Sequence, residues 1–562
     1  MLRLICILTV IFSVALDFSL LAQQIVIDEQ FQDWSDAPTN ISDLNDNLSG
    51  IDIENLAISN DENYLFIQFT LDDEIQLQEN NFLSLYIDSD QNKNTGFQTE
   101  GIGAEISFYF GDRSGFVNFS PGFENIIHQD IGLLTAPTVS SEHFEIAIRR
   151  QNTIDGKAVN LNGTIDIVFE NDIYDGDKIP NTDSGVAYTF DENITSELSD
   201  YSFNRLPDTD LRILNYNVLR DDLFEPNLRA PYERILKAID ADIIAFQEIY
   251  ENGSSQTAAL IEQMIPSTGG QQWYHEKVGS DLVLLSRYPI IDDRWVDGNA
   301  AFVVDVDGKQ VMVVNVHFPC CDNNAERQNE INALLQFIRE TQNGFEFPLT
   351  QDAPIIIVGD YNLVGFRSQI ESLLSGNITN NSSYGPDFSP DWGNGPLTDL
   401  NPQLTGLPAT YTWQGENSSF FPGRLDYIVY TSSSIFPVNS YVLNTASLPQ
   451  DDLSLNNLSQ SDTQRNSDHL PMISDWSFEE IVSSSDYTSQ PILNIWPNPF
   501  SGFINIATEE EIVYIQLYDL SGKLILTSQE NTIKNLQLGT NIYIVKVLFA
   551  DGRSSVQKVV SK

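Results

Sequence analysis

The sequence predicts a multidomain chain: an N-terminal all-β sandwich, a central α/β domain and a small C-terminal all-β sandwich. Three observations carry this. Residues 25–206 read as short alternating strands punctuated by Gly, Asn and Asp, with no helical period. Over residues 211–479, buried-type strands alternate with amphipathic helices, such as 230–239 and 325–341. A serine-rich linker, within 480–490, then precedes a second strand-rich segment, 491–562. A chain of 562 residues, 41% of them hydrophobic, is too long for one ordinary core and apolar enough for several.

Charge and cysteine usage narrow the setting. Against 28 Lys+Arg stand 80 Asp+Glu, a formal net charge of −52. Such a surface repels nucleic acid and anionic membranes at long range, although salt screens the effect beyond about 10 Å. The acidity speaks first of habitat and only second of substrate. The N-terminus has Arg3, an apolar run and small residues, the logic of a secretory signal peptide; Ser13-Val14-Ala15 fits the small-residue rule, and cleavage after Ala22, which resembles many secreted bacterial precursors, gives a signal of residues 1–22. Its removal would take Cys6 and leave only the adjacent Cys320 and Cys321. These can stand as two thiols or form a vicinal disulfide. They exclude a disulfide framework and four-cysteine zinc chemistry.

In the N-terminal segment, NYLFIQFTL, FLSLYID, AEISFYF and IDIVFE alternate as half-buried strands do. Within LYIDSDQNKNTGF, Asp88, Asp90, Asn92 and Asn94 alternate like the oxygen ligands of a Ca²⁺ loop. Lys93 stands where an EF-hand needs glycine and Thr99 where it needs a bidentate acid, so an Asn-rich hairpin turn is the competing reading. This stretch and the opening IDEQFQDW resemble family-9-like carbohydrate-binding modules, which implies a β-sandwich and a polysaccharide partner. In the C-terminal segment, Pro497-Asn498-Pro499, then Tyr518-Asp519-Leu520-Ser521-Gly522, then LGTNIYIVKV mark a short sandwich without a titratable cluster. These motifs resemble the C-terminal sorting domain of the bacterial type IX secretion system. The resemblance implies a secretion-machinery partner and a final location outside the cell or on its surface.

The central segment is organised around PIIIVGDYN. Ile355 to Val358 suit a strand buried on both faces, and Gly359 allows a sharp turn or a close approach. Asp360 and Asn362 follow on the same side of an extended chain. The design recurs. LRILNYNVL delivers Asn217, ADIIAFQEI delivers Gln247 and Glu248, and SDLVLLSRYPI carries Ser286 and Arg287. QVMVVNVHF delivers Asn315 and His317, GRLDYIVY places Asp426 in a strand, and SDHLPM supplies Asp468 and His469. Singly, each has a bland explanation: a solvated strand end, a structural histidine, or an Asp426 satisfied by Arg424.

In order, these motifs resemble the endonuclease/exonuclease/phosphatase superfamily over residues 211–479. The resemblance implies a four-layer α/β sandwich with the site at one end. It implies Asn217, Glu248 and Asp468 as ligands of Mg²⁺ or Mn²⁺, with Asn217 and Asn362 also binding substrate. Asp360 would orient or deprotonate the attacking water, and His469 would contact the phosphate, its tautomer fixed by Asp426. His317 would protonate the leaving group. Oxygen donors suit such a hard cation, and phosphoester cleavage needs charge neutralisation, an in-line nucleophile and leaving-group help.

The expected activity is thus a secreted, divalent-metal-dependent phosphoesterase, foremost an extracellular nuclease. A sphingomyelinase-like or inositol-phosphate phosphoesterase is the alternative within the class, and an inactive surface-binding protein the alternative outside it. A lipid enzyme needs an exposed aromatic hairpin, for which Phe420-Phe421 and residues 384–392 are the candidates. The insertion 377–397 is expected to shape the pocket. Arg327 reads either as an anion-binding group or as a surface charge.

Overall fold

The computed structural model describes residues 24–43, 49–119, 121–196, 198, 200–267, 272–480, 494–508, 512–519, 524–528, 531–536, 538–539, 542–549 and 554–562. The expected signal segment and residues 481–490 of the linker lie outside them. The chain divides into two compact units, residues 1–480 and 481–562.

The N-terminal part pairs its strands into a five-stranded and a seven-stranded sheet. Alternation works as expected: Leu56, Ile58, Leu65, Ile67, Phe69, Phe144 and Ile146 from the first sheet share a core with Leu85, Ile87, Phe108, Ile167 and Phe169 from the second. Two short helical pieces, Phe31–Asp36 and His128–Ile131, interrupt a region the sequence presents as strand and turn only. The expected cation loop folds as a hydrogen-bonded turn after the strand Leu83–Asp88. Asp88 accepts from the backbone N–H of Asp90 and Asn92, Asp90 from that of Asn92, and Asn92 from that of Asn94. Asp88 and Asp90 converge there with Glu105, closely enough to hold an ion.

The central part has two six-stranded sheets. One runs Tyr274–Val278, Leu282–Ser286, Ile243–Gln247, Leu211–Asn217, Met472–Ser477, Phe436–Val442. The other runs Ile290–Val296, Asn299–Val306, Lys309–His317, Ile355–Asp360, Asp426–Tyr430, Thr398–Asp399. Ile213, Ala245 and Leu284 of the first share one core with Phe302, Val313, Ile356 and Ile428 of the second. The opposite face of the first sheet (Leu214, Ile244, Phe246) packs on Tyr232, Ile235 and Ile239 of the helix Arg229–Ile239. The opposite face of the second (Met312, Val314, Ile355, Ile357) packs on Ile331, Leu334, Leu335 and Ile338 of the helix Asn324–Gln342. Both faces of each central strand are dry, as the continuous β-branched runs require.

Sandwich and central domain are continuous in space. Ile25, Ile27, Trp34, Tyr64, Phe66 and Leu134 belong to the same buried cluster as Ile213, Ile356, Ala409 and Tyr411. Backbone bonds cross the junction from Ile27 N–H to Pro408 O and from Ser140 N–H to Gly365 O. In the C-terminal unit, a three-stranded and a four-stranded sheet bury Ile504, Ile506, Ile515, Leu517, Val545 and Val547 between them.

Candidate active site

Register assembles the site. The strand Ile355–Asp360 runs parallel to Lys309–His317 and antiparallel to Asp426–Tyr430, and the pairing sets His317 beside Asp360 and Asp360 beside Asp426. Asp360 lies at a strand end in a row of three titratable groups drawn from three segments. Gly359 is required by close approach: a Cβ there would lie 2.0 Å from the Val316 carbonyl oxygen of the neighbouring strand. Asn362 reaches the site differently from the expected alternation. The strand ends at Asp360, Asn362 turns to φ 49°, and its N–H donates to Asp360 Oδ1 at 2.9 Å. A turn rather than an extended chain brings the two side chains together, and asparagine tolerates that conformation. One amide N–H of Asn362 donates to the Phe318 carbonyl at 3.0 Å.

Two histidines flank Asp360, each backed by its own carboxylate. His469 Nε2 lies 3.6 Å from Asp360 Oδ2, and its Nδ1 meets Asp426 Oδ2 at 2.7 Å. His317 Nε2 lies 3.7 Å from the same Asp360 oxygen, and its Nδ1 meets Asp281 Oδ2 at 2.6 Å. Burial would lower the His469 pKa, but Asp426 and Asp360 outweigh it and push it up to about 10. Burial likewise opposes, and Asp281 with Asp360 overcomes, a rise of His317 to about 9. Burial raises the Asp360 carboxyl to about 6, against the pull of His469 and His317.

Across the junction of the two sheets, Asn217 bridges two acids. Its Nδ2 donates to Glu248 Oε1 and to Asp360 Oδ2, both at 3.1 Å. Asn217 is fully buried beneath the two carboxylates. Glu248 has φ 65°, a left-handed conformation costing a residue of this type on the order of 1 kcal/mol, and its Oε2 accepts from the Arg220 N–H. Asp468 accepts from the Trp413 indole at 2.9 Å through Oδ2, while its buried Oδ1 has no partner. Behind them, Gln247 donates to Asn215 and Asn315, and Asn215 reaches Asp426 at 3.5 Å.

The donor set fits a hard divalent cation. Glu248 and Asp360 present carboxylate oxygens to a single amide nitrogen, and Asp468 Oδ1 is an orphaned buried acceptor that lines the same cleft. Asp360, Asp426 and His469 also cluster tightly enough to hold an ion. There, however, Asp426 is already spent on the His469 Nδ1, so a positioning dyad describes that trio better than a cage.

Every expected site residue thus gathers at one end of the sheets: His317, Glu248, Asp360, Asn362, Asp468 and His469 face one cleft of about 750 Å³, with Asn217 and Asp426 directly behind. Other readings need correction. Ser286 and Arg287 lie at the far end: the strand Leu282–Ser286 is antiparallel to Ile243–Gln247, so its beginning, with Asp281, meets the site, and its end pairs with Ile243. Asp281 was missed for that reason. The clue was its place just before the apolar run Leu282 to Leu285, but direction is not written there. Arg424 pairs with Asp399, not Asp426. Arg327 is buried and holds the turn before its helix through the Pro319 and Cys321 carbonyls. The insertion 377–397 packs outward: Arg339 and Gln342 of the long helix bond the carbonyls of Tyr384, Pro386 and Pro390. Phe421 is 1% exposed, its ring among Phe108, Phe110 and His128, so it presents nothing to a lipid surface. Cys320 and Cys321 are exposed free thiols at the cleft rim.

Residues 214–475 match the endonuclease/exonuclease/phosphatase family, and residues 494–562 match the secretion system C-terminal sorting domain. No curated protein matches the chain. Solved structures similar to it include D. rerio TDP2 complexed with single strand DNA product, at 16% identity and TM-score 0.31, covering 48% of this chain and 98% of that one. The human Nocturnin catalytic domain with bound sulfate anion shares 16% identity at TM-score 0.30, covering 48% and 94%. A beta toxin from Staphylococcus aureus shares 14% identity at TM-score 0.30, covering 47% and 99%.

Proposed function

We propose that this chain, which carries an endonuclease/exonuclease/phosphatase domain and a sorting domain for export by type IX secretion, is an extracellular phosphodiesterase that hydrolyses nucleic acid. One observation carries the chemistry: Asp360 stands 3.6 and 3.7 Å from two histidines, each held by a second carboxylate. The paired sheets with helices on their outer faces support the expected four-layer arrangement.

Glu248 and Asp468 would hold a divalent cation, foremost Mg²⁺, which when bound supplies charge neutralisation to the phosphate; Asn217, expected as a third ligand, turns its amide N–H groups to Glu248 and Asp360 and its oxygen to the Leu219 N–H, and so orients the carboxylates instead. The protein groups divide the remaining work. Asp360, with a carboxyl near pKa 6, takes a proton from the attacking water, whose oxygen bonds to phosphorus. His469, kept protonated by Asp426 and Asp360, donates to a non-bridging oxygen, and the free amide N–H of Asn362 offers a second donor. As the P–O bond to the leaving group breaks, His317 delivers a proton to the departing oxygen. Asp281 keeps that imidazole charged and oriented. Of the Phe420-Phe421 pair that a lipid enzyme would expose, Phe421 is buried and Phe420 stays exposed, which leaves the sphingomyelin alternative to the substrate test; the complete acid–histidine set weighs against an inert domain. A polysaccharide partner for the sandwich gains no comparable support.

The test is turnover of plasmid DNA, RNA, sphingomyelin and bis-p-nitrophenyl phosphate with Mg²⁺, Mn²⁺ or EDTA. Nucleic-acid and small-diester cleavage should vanish in EDTA and fall about 10²–10⁴-fold in Asp360→Ala and His469→Ala. Activity indifferent to both substitutions would sink the assignment.

A further inference from the structure

The cleft is not built by the central domain alone. One wall comes from the N-terminal sandwich: residues 76–79, which follow the strand Tyr64–Ile75, and Pro137-Thr138, which precede Ser141–Arg149. These residues are tied to the catalytic side. Gln76 Nε2 donates to the Val364 carbonyl at 3.3 Å, the Phe421 N–H donates to Gln78 Oε1 at 2.7 Å, and the Arg424 N–H donates to Thr138 Oγ1 at 2.7 Å. A loop of the central domain, residues 415–422, crosses to the sandwich and buries Phe421 in its core. Trp413, which bonds Asp468, stands at the base of that loop, where its backbone pairs with Gly423.

Size and charge have consequences for what can enter. A cleft of about 750 Å³ falls within the roughly 300–1,000 Å³ typical of small-ligand sites. It can take one phosphodiester with its neighbouring groups. Duplex binders line their track with Lys and Arg, one cation per neutralised phosphate. The six wall residues from the sandwich include no cation and add one carboxylate, Glu79; among the described residues lining the cleft, Arg220 of the central domain is the single Lys or Arg. The nearby Arg113 is engaged: it pairs with Glu79 at 3.5 Å, which neutralises it, donates to the Gln78 carbonyl, and covers one face of Phe420 at 4.1 Å from the ring centroid. Single strands add to phosphate contacts a term that paired, stacked bases of a duplex do not offer, the stacking of unpaired bases on aromatic faces. Tyr250 and Phe420, 44% and 45% exposed, both line the cleft.

We propose that the N-terminal β-sandwich is a substrate-selecting wall of the phosphodiesterase cleft, admitting one phosphodiester of a single-stranded nucleic acid and excluding intact duplex. This rests on the phosphodiesterase reading above. Glu79 and Phe420 are its selecting residues: the first keeps the wall from collecting phosphates, the second offers a face to an unstacked base.

The experiment measures kcat/KM of the full exported chain with Mg²⁺ on three substrates. They are bis-p-nitrophenyl phosphate, a single-stranded oligonucleotide, and the same sequence as a duplex closed by hairpins at both ends. The wild type should prefer the single strand to the duplex by at least about tenfold. Glu79→Lys should raise the ratio of single-strand to small-diester kcat/KM about threefold at low salt and steepen its salt dependence. Phe420→Ala should lower that ratio about fivefold. Closed duplex cut as fast as single strand by the wild type would overturn the proposal, as would unchanged ratios in both variants. Absence of turnover on the small diester as well would be a different failure, that of the phosphodiesterase reading itself.

Discussion

The two histidines beside Asp360 are alike in construction and opposite in sequence context. His469 follows an acid immediately, yet its partner is Asp426, 43 residues earlier; His317 is held by Asp281, 36 residues earlier. Asp281 is therefore the residue whose substitution says most. In Asp281→Asn the imidazole keeps a hydrogen-bond acceptor but loses the charge that raises its pKa. With His317 acting as the acid, its protonated form is the active one, so lowering its pKa should move the alkaline limb of the kcat/KM profile to lower pH. The rate should also fall about 10–100-fold. Comparison of both enzymes at saturating Mg²⁺ makes the cation's own influence common to the two. An alkaline limb that does not move would remove His317 from the proton-transfer role.

Among the elements, the segment from Thr412 to Gly423 does the most joining. Its ends pair with one another and with His469, the Thr412 hydroxyl accepts from the Leu425 and Asp426 N–H groups, and Trp413 holds Asp468. The loop between is fixed by Phe421, wedged among aromatic rings of the sandwich. Phe421→Ala removes a fully buried ring and should cost about 3–5 kcal/mol in denaturant unfolding. Because the same segment positions Asp468 and Asp426, kcat should fall although Phe421 touches no substrate. A stability loss without any change in kcat would show that the loop base holds its shape unaided.

At the scale of the whole molecule, two compact units follow one another, and among the described residues the clusters of acids and histidines lie in the first. Production of residues 24–480 alone should therefore give a folded protein with kcat/KM within about twofold of the full chain, measured on bis-p-nitrophenyl phosphate. Removal of residues 24–206 should behave otherwise. It would uncover Ala409, Tyr411 and the Phe421 side chain, now buried, and the product should aggregate in size-exclusion chromatography despite the strongly acidic composition.

The sequence by itself determined that the chain is multidomain and picked out residues that the structure gathers at one cleft. Period-two alternation, buried β-branched runs and amphipathic helices are local properties, and a side chain delivered at the end of such a run is visible as PIIIVGD or QVMVVNVH. The secretion motifs are equally local. What only the tertiary structure decided were the relations between distant segments. Strand direction put Asp281 rather than Ser286 at the active end, register set His317, Asp360 and Asp426 in one row, and a left-handed turn brought Asn362 onto Asp360. Burial turned Phe421 from a candidate membrane contact into a core residue, and made the sandwich a wall of the cleft rather than a separate module. The physical reason is common to all of these. Pairing direction, register and docking are settled by contacts between residues far apart in the chain, whose energies leave no periodic trace in either segment.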